Sequence, residues 1–277
     1  MDEFLKKKYT TSEFAKLHNV NKKTLIYYDN IGLFCPAEVH KNGYRYYTFE
    51  QNFAFVAIRL LRRMQVPLKE VKKYLSNYGT DNLLDLLYSQ SQLIDEQLAE
   101  MLWLKKIVQN KIENLENKET IDFKQIKIAE EKEQLLILSP ALNKLSPEDI
   151  MFSISKFMSE CYHNRQYTGR SCGTVMDAER LHKNKSREDT LLYYYYLTDN
   201  DKKVDTNVFC KPEGKYLVGY YKGAWGNENK FYSQLIKFAD EKKLVFGKYI
   251  FEEKLMDDMM MTEDVGYTEF KISIMIK

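Results

Sequence analysis

The sequence predicts a multidomain protein of α and α+β class, with a winged helix-turn-helix, a long coiled-coil dimerisation helix and a C-terminal α+β domain. Three observations predict it. Two short helical patterns and an Asn-Gly hairpin signal crowd residues 10–48. Apolar residues then recur every seventh position from Leu87 to Leu115. Past residue 120 the apolar period shifts toward the alternation of strands. Domains are accordingly expected at 1–76, 77–120 and 121–277.

"TTSEFAKLHNV" opens the first helix with hydroxyl residues, and Glu13 lies three after Thr10, as in a capping box. Phe14 and Leu17 share one face. Asn19-Val20-Asn21 supplies a turn, and Asn21 can cap the next helix, "KKTLIYYDN". Leu25 and Tyr28 are expected to point inward, with Lys22, Lys23 and Tyr27 outward. Two helices around so short a turn form a helix-turn-helix. Asn42-Gly43 predicts a two-residue hairpin whose flanks carry Lys41, Tyr44, Arg45, Tyr46 and Tyr47, a basic and tyrosine-rich wing. Helices over Phe49–Met64 and from Pro67 onward complete the head.

Charge distribution says what the head meets. The net charge is only +2, yet residues 1–75 hold 14 Lys and Arg against 7 Asp and Glu, and the remainder 28 against 33. A basic front end on a mildly acidic body suits a polyanion such as double-stranded DNA. Counterion release by cationic side chains supplies most sequence-independent affinity for a duplex. Lys22, Lys23, Lys41, Arg45, Arg62 and Arg63 are suited to that, while Thr24, Tyr27, Tyr28 and Tyr44 can hydrogen-bond phosphates or base edges. Tyr28 serves equally well as a core residue.

The next helix is expected over 82–116. Leu87, Ile94, Met101, Val108 and Leu115 form one heptad row; Leu84, Ser91, Leu98, Lys105 and Ile112 form an interrupted second. Five heptads make about 50 Å of helix, more than one small domain buries, so a homodimer through this helix is expected. "ENLENKETID" reads as its polar exit. Beyond lie strand patterns in "KQIKIAEEKEQLLILSP", "TLLYYYYLT", "KYLVGYYKG", "YIFEEKLM" and "TEFKISIMIK". Two helices interrupt them, "SPEDIMFSISKFMSECYH", with Ser146 as its cap, and "NENKFYSQLIKFADEKKL". That order predicts an α+β layering.

Together these motifs resemble the MerR family of transcriptional regulators: the helix-turn-helix, then "TLIYYDNIGL", "NGYRYYT" and "LLRRMQVPLKEV", over residues 9–76. Residues 122–277 resemble the GyrI-like effector-binding fold, on "CKPEGKYLVGYYKGAWGNENKFYSQLIKFADEKKL" and "YIFEEKLMDD". The combined layout is similar to the multidrug-responsive branch. The four scattered cysteines suit reduced thiols, so a cytoplasmic location is expected. The resemblance implies an activator that bends and untwists a promoter so that RNA polymerase engages both of its elements, under control of a small-molecule effector. Ile26 stands where the family usually has a phosphate-touching Arg.

For the effector side, alternation in "KYIFEEKLM" puts Tyr249, Phe251 and Glu253 on one face and Ile250 and Glu252 on the other. A carboxylate beside aromatic rings suits a lipophilic cation. Matching the family's E-x-x-L-x-D pattern through Leu255 and Asp257 points to Glu252, though strand register leaves Glu253 open. Tyr221, Trp225 and Tyr267 are further candidate walls.

Two other functions are open at this level: a hydrolase using a pocket glutamate, and a metal or redox sensor if Cys161, Cys172 and Cys210 converge. No C-x-x-C pair, H-E-x-x-H, Walker loop, G-x-S-x-G or dinucleotide fingerprint is present. No catalytic or metal-binding residue and no cofactor are therefore expected. The longest apolar runs are far too short to span a bilayer, so no membrane partner is expected.

Overall fold

A computed structural model describes residues 7–76, 79–118, 121–123, 125–182, 190–198, 208–224, 226–255 and 267–277. The chain forms two compact units, Met1–Ala99 and Glu100–Lys277.

In the first unit, strand β1 (Lys8–Thr10) leads into helix α1 (Thr11–Leu17) and helix α2 (Lys22–Asn30). Thr10 caps α1 in a full capping box with Glu13, and the Asn21 side chain accepts from Lys23 N at 2.9 Å to cap α2. Strands β2 (Glu38–Val39) and β3 (Arg45–Thr48) form the wing, and β1 pairs along the other edge of β3. The sequence pattern does not announce β1. The wing's turn also differs from expectation. His40 N donates to Tyr44 O and Gly43 N to His40 O, so the loop has three residues, Lys41-Asn42-Gly43. Among these only Gly43 takes a positive φ, +82°. A two-residue type I′ turn needs Asn42 there as well, so the turn adopts the three-residue form with glycine in the left-handed position.

Helices α3 (Gln51–Arg63) and α4 (Leu68–Ser76) close the head over a core in which Phe14, Leu25, Tyr47, Phe55, Ile58 and Val71 are fully buried. Phe14 stacks on Tyr47 with ring centroids 4.8 Å apart. Helix α5 runs from Thr80 to Lys118. Leu84, Leu87, Ile94, Leu98, Met101, Val108, Ile112 and Leu115 are all exposed along it. A stripe of that length left in water is unfavourable for a lone chain.

The second unit is one eight-stranded antiparallel sheet with helices. Its strands are β4 (Ile126–Glu131), β5 (Gln134–Leu138), β6 (Cys172–Asp177), β7 (Leu191–Leu197), β8 (Val208–Lys211), β9 (Gly214–Ala224), β10 (Phe246–Lys254) and β11 (Tyr267–Ile276). They are ordered β4-β9-β11-β10-β6-β7-β5-β8. The helices are α6 (Pro147–His163), α7 (Ala178–His182) and α8 (Glu228–Glu241). Ser146 caps α6, accepting from Asp149 N.

Although β4 and β8 are the two ends of that order, Lys211 Nζ on β8 lies 2.5 Å from Glu131 Oε2 on β4. The sheet is therefore curled until its edges meet. One face carries Ile250, Ile272, Ile274, Leu217 and Phe270 against Tyr232 and Leu235 of α8. The other carries Leu136, Val175, Tyr195, Tyr216, Val218 and Phe251, packed on one another inside the curl. Of the four tyrosines 193–196, Tyr193 and Tyr195 join this inner cluster, while Tyr194 and Tyr196 pack with Phe157 of α6.

Candidate DNA interface and buried carboxylate site

On the head, Lys22, Lys23, Tyr27, Lys41, Tyr44, Arg62 and Arg63 are exposed, and Thr24 is half-buried. Tyr28 packs against the core beside Phe55. Two of the predicted cations have other partners. Arg45 Nε donates to Asp29 Oδ2 at 2.7 Å, which raises the guanidinium's affinity for its proton and fastens the wing to the end of α2. Arg62 donates to Val66 O, closing the turn after α3. The cations left facing solvent are Lys22, Lys23, Lys41 and Arg63. Ile26 is exposed on the same helix, where it supplies no charge.

In the second unit the strand period splits the predicted effector set. Glu252 lies opposite Thr174 on β6 and Ile272 on β11. Its side chain is on the face covered by α8, and the residue is 1% exposed. Thr174 Oγ1 donates to Oε2 at 2.9 Å, and the Tyr232 hydroxyl donates to Oε1 at 2.9 Å. β6 approaches so closely that a Cβ on Gly173 would stand 1.9 Å from Glu252 O, so only glycine fits there. Tyr221 shares this face and donates its hydroxyl to Ala224 O.

Tyr249 and Glu253 are not part of that site. Tyr249 faces the inside of the curl with Phe209 and Phe251, and Glu253 lies opposite Lys271 across β11. The reason is the two-residue period of a strand: neighbours 252 and 253 must point to opposite faces. Tyr267 pairs with Ala224 in the sheet. Trp225 and Asp257 lie outside the described residues.

Inside the curl, Glu131 accepts from Lys211, from Lys271 at 2.8 Å and from Ser273 at 3.1 Å. Burial alone would raise the Glu131 pKa, but the two ammonium groups outweigh it and hold the carboxyl below its ordinary range. Burial lowers the pKa of Lys211, which Glu131 only partly offsets.

Sequence reasoning missed Thr174 and Tyr232. β6, "CGTVMD", has no clear alternation because it is buried on both faces. It also missed a clasp on the long helix. Trp103 Nε1 donates to Tyr167 O at 2.7 Å, Asn110 Nδ2 to Thr168 O at 2.8 Å and Asn114 Nδ2 to Gly169 O at 3.3 Å. Their spacing of seven and four residues puts them on one face of α5. Cys161 and Cys172 share an apolar cluster, whereas Cys210 is exposed on β8. Among the described residues no group of three or more His, Cys, Asp or Glu is arranged to hold a metal.

The family model described as "MerR HTH family regulatory protein" matches residues 9–78. The multidrug-efflux transporter 2 regulator of Bacillus subtilis is 32% identical over 280 residues, covering 100% of this chain and 99% of that protein. The multidrug-efflux transporter 1 regulator of the same organism is 24% identical, over 88% of this chain and 89% of its own. Among solved structures, EcmrR in its DNA complex is 19% identical over 97% of this chain and 99% of that one, with a TM-score of 0.39. A match that spans both units at this identity assigns the whole chain, head and effector-type domain together, to the MerR family of helix-turn-helix regulators.

Proposed function

We propose that the chain is a cytoplasmic homodimer, paired through the 82–116 helix, that binds double-stranded promoter DNA and activates transcription when a cationic, lipophilic effector enters the second unit. The observation that carries the effector half is Glu252: an acid buried beneath a helix, accepting from the Thr174 and Tyr232 hydroxyls, on the face that also carries the aromatic rings of Tyr221, Tyr232 and Phe270. A cation matches such a group through charge, and the rings through cation–π attraction. Because Glu252 is almost wholly covered, the effector reaches it only after packed side chains move, which couples binding to shape.

The clasp supplies a route for that coupling. Thr174 touches Glu252, and β6 begins just after residues 167–169, whose carbonyls are held by Trp103, Asn110 and Asn114 of α5. A shift of Thr174 is thereby relayed to the dimerisation helix. On the DNA side, the paired heads grip both halves of a palindrome. Bending the intervening duplex costs roughly 1–6 kcal/mol, so an effector that favours the bent complex by that much throws the switch and lets RNA polymerase engage.

Transcription in vitro from the promoter flanking the gene, with purified polymerase and with tetraphenylphosphonium or a rhodamine dye, tests the reading. Activation that requires both protein and cation is expected. Binding to promoter fragments with no response to any cation would sink the effector half. We read the chain as a binding protein and not a hydrolase, so cations recovered after long incubation are expected unchanged.

A further inference from the structure

We propose that Glu228 is a second cation anchor of the Glu252 site, and that the effector is an organic dication. The proposal rests on the reading of Glu252 as the effector's carboxylate.

Glu228 opens α8 and is 4% exposed. Its Oε1 is buried, and among the described residues it has no hydrogen-bond partner and no lysine or arginine within ion-pairing distance. The buried stripe of α8 is Glu228, Tyr232, Leu235 and Ala239. Tyr232 is the residue whose hydroxyl meets Glu252. Glu228 therefore lies on the same sheet-facing side of the helix, one turn or about 6 Å before Tyr232 along the axis. The rings of Tyr221 and Phe231, 5.8 Å apart, belong to the same layer, beside a sheet whose Gly219 leaves room for Phe231.

An acid in the first turn of a helix is favoured by the helix dipole, but it gains that benefit equally when it points to water. The dipole thus explains an acid at this position and not its burial. A buried acid with no donor is unfavourable in the ligand-free chain. Thr174 and Tyr232 donate to Glu252, whereas Oε1 of Glu228 has no partner among the described residues. A cation supplied from outside is what fits it. With Glu252 serving one charge and Glu228 the other, apolar and aromatic side chains between them would hold the linking segment.

Calorimetric titration of the full-length chain with hexamethonium, which has a trimethylammonium at each end, and with hexyltrimethylammonium, which has one, tests this. The dication is expected to bind about tenfold more tightly or better, the range of a charge-assisted contact. Glu228→Gln should abolish that difference and leave the monocation within about twofold, while Glu252→Gln weakens both. Glu228→Gln and Glu228→Leu should also raise the melting temperature of the ligand-free protein by a few degrees, since each removes a buried unpartnered acid. Equal affinities in the native chain, parallel losses in Glu228→Gln, or lower melting in both variants would overturn the second anchor and leave Glu252 standing. If neither cation binds at millimolar concentration, the reading of Glu252 fails, and this one with it.

Discussion

The Tyr232 hydroxyl on α8 donates to Glu252 Oε1 on β10 across 2.9 Å, while Thr174 on β6 holds the other oxygen. Two neutral donors from two different elements thus fix one buried acid. Tyr232→Phe and Thr174→Val should each lower stability by about 1–3 kcal/mol, because each strips a donor from a group that water cannot reach. Their double mutant should lose more than the sum, since the first loss leaves the second donor bearing the whole acid. Urea unfolding of the four proteins measures this, and strict additivity would show that the two hydroxyls act independently.

The clasp predicts an uncoupled regulator. Asn110 is 6% exposed and its amide donates to Thr168 O. Asn110→Leu keeps the bulk and removes the donor. Effector affinity should stay within about threefold, with promoter affinity little changed, while effector-dependent activation falls by about tenfold, a coupling loss near 1.4 kcal/mol. Wild-type activation by Asn110→Leu would remove the clasp from the relay.

On the head, the exposed cations and the paired one should behave differently. Lys22→Ala, Lys23→Ala and Lys41→Ala should each weaken binding to every duplex and reduce the salt slope by about 1. Arg45→Ala should change that slope less and should unfasten the wing, because its guanidinium is engaged by Asp29. Asp29→Asn then ought to mimic the positional defect while keeping the charge. Binding isotherms at several salt concentrations separate these; a full unit of slope lost in Arg45→Ala would mean that it leaves Asp29 for phosphate.

How far the sequence spoke depended on whether a signal was local. Caps on Thr10, Asn21 and Ser146 were legible because a cap is a contact between residues two or three apart. The heptad row of α5 was legible for the same reason. In the wing, Asn42-Gly43 marked the place of the turn but not its length, which depends on the φ of Asn42. β6 and β8 were invisible, the first because burial on both faces erases alternation, the second because four residues carry too little pattern. In the effector set, the family's E-x-x-L-x-D pattern pointed to Glu252, but alternation alone left Glu253 open. The choice depends on Thr174 and Tyr232, which are 78 and 20 residues from Glu252 and meet it only once the sheet is formed. Asp29's hold on Arg45 was equally non-local.

Tyr47 offers a stabilising substitution. Its ring is stacked in the head's core, its hydroxyl is buried without a partner, and burial, with Asp29 adding, pushes the phenol up to about 12. A hydroxyl that loses water and gains no bond costs about 1–3 kcal/mol. Tyr47→Phe should therefore raise the head's stability by about 1 kcal/mol without altering DNA affinity. Thermal melting measures it, and a lowered melting temperature would mean that the hydroxyl has a partner in solution.

Glu131 ties the two ends of the curled sheet, and its folded pKa lies below its unfolded one. For a carboxyl with a depressed pKa, the folded state binds fewer protons than the unfolded state between the two values, so stability falls as pH falls through that window. The contribution is complete above about pH 4.5, the ordinary carboxyl value, and disappears below the folded pKa. Lys211 gives the same slope, stability rising with pH, in a window at the alkaline end. Its pKa is depressed, so the cost of keeping it charged is relieved only as pH rises toward 10.5. Glu131→Gln leaves the Lys211 ammonium buried without its counter-charge, and at pH 7 should destabilise the second unit by about 3–5 kcal/mol. Lys211→Met removes the ammonium and leaves Lys271 to hold Glu131. It should cost less than Glu131→Gln and shift the acid midpoint upward, because the carboxyl's pKa is then less depressed. Guanidinium unfolding between pH 3 and 8 distinguishes the two variants, and identical acid limbs in Lys211→Met and the native chain would show that Lys271 alone sets the Glu131 pKa.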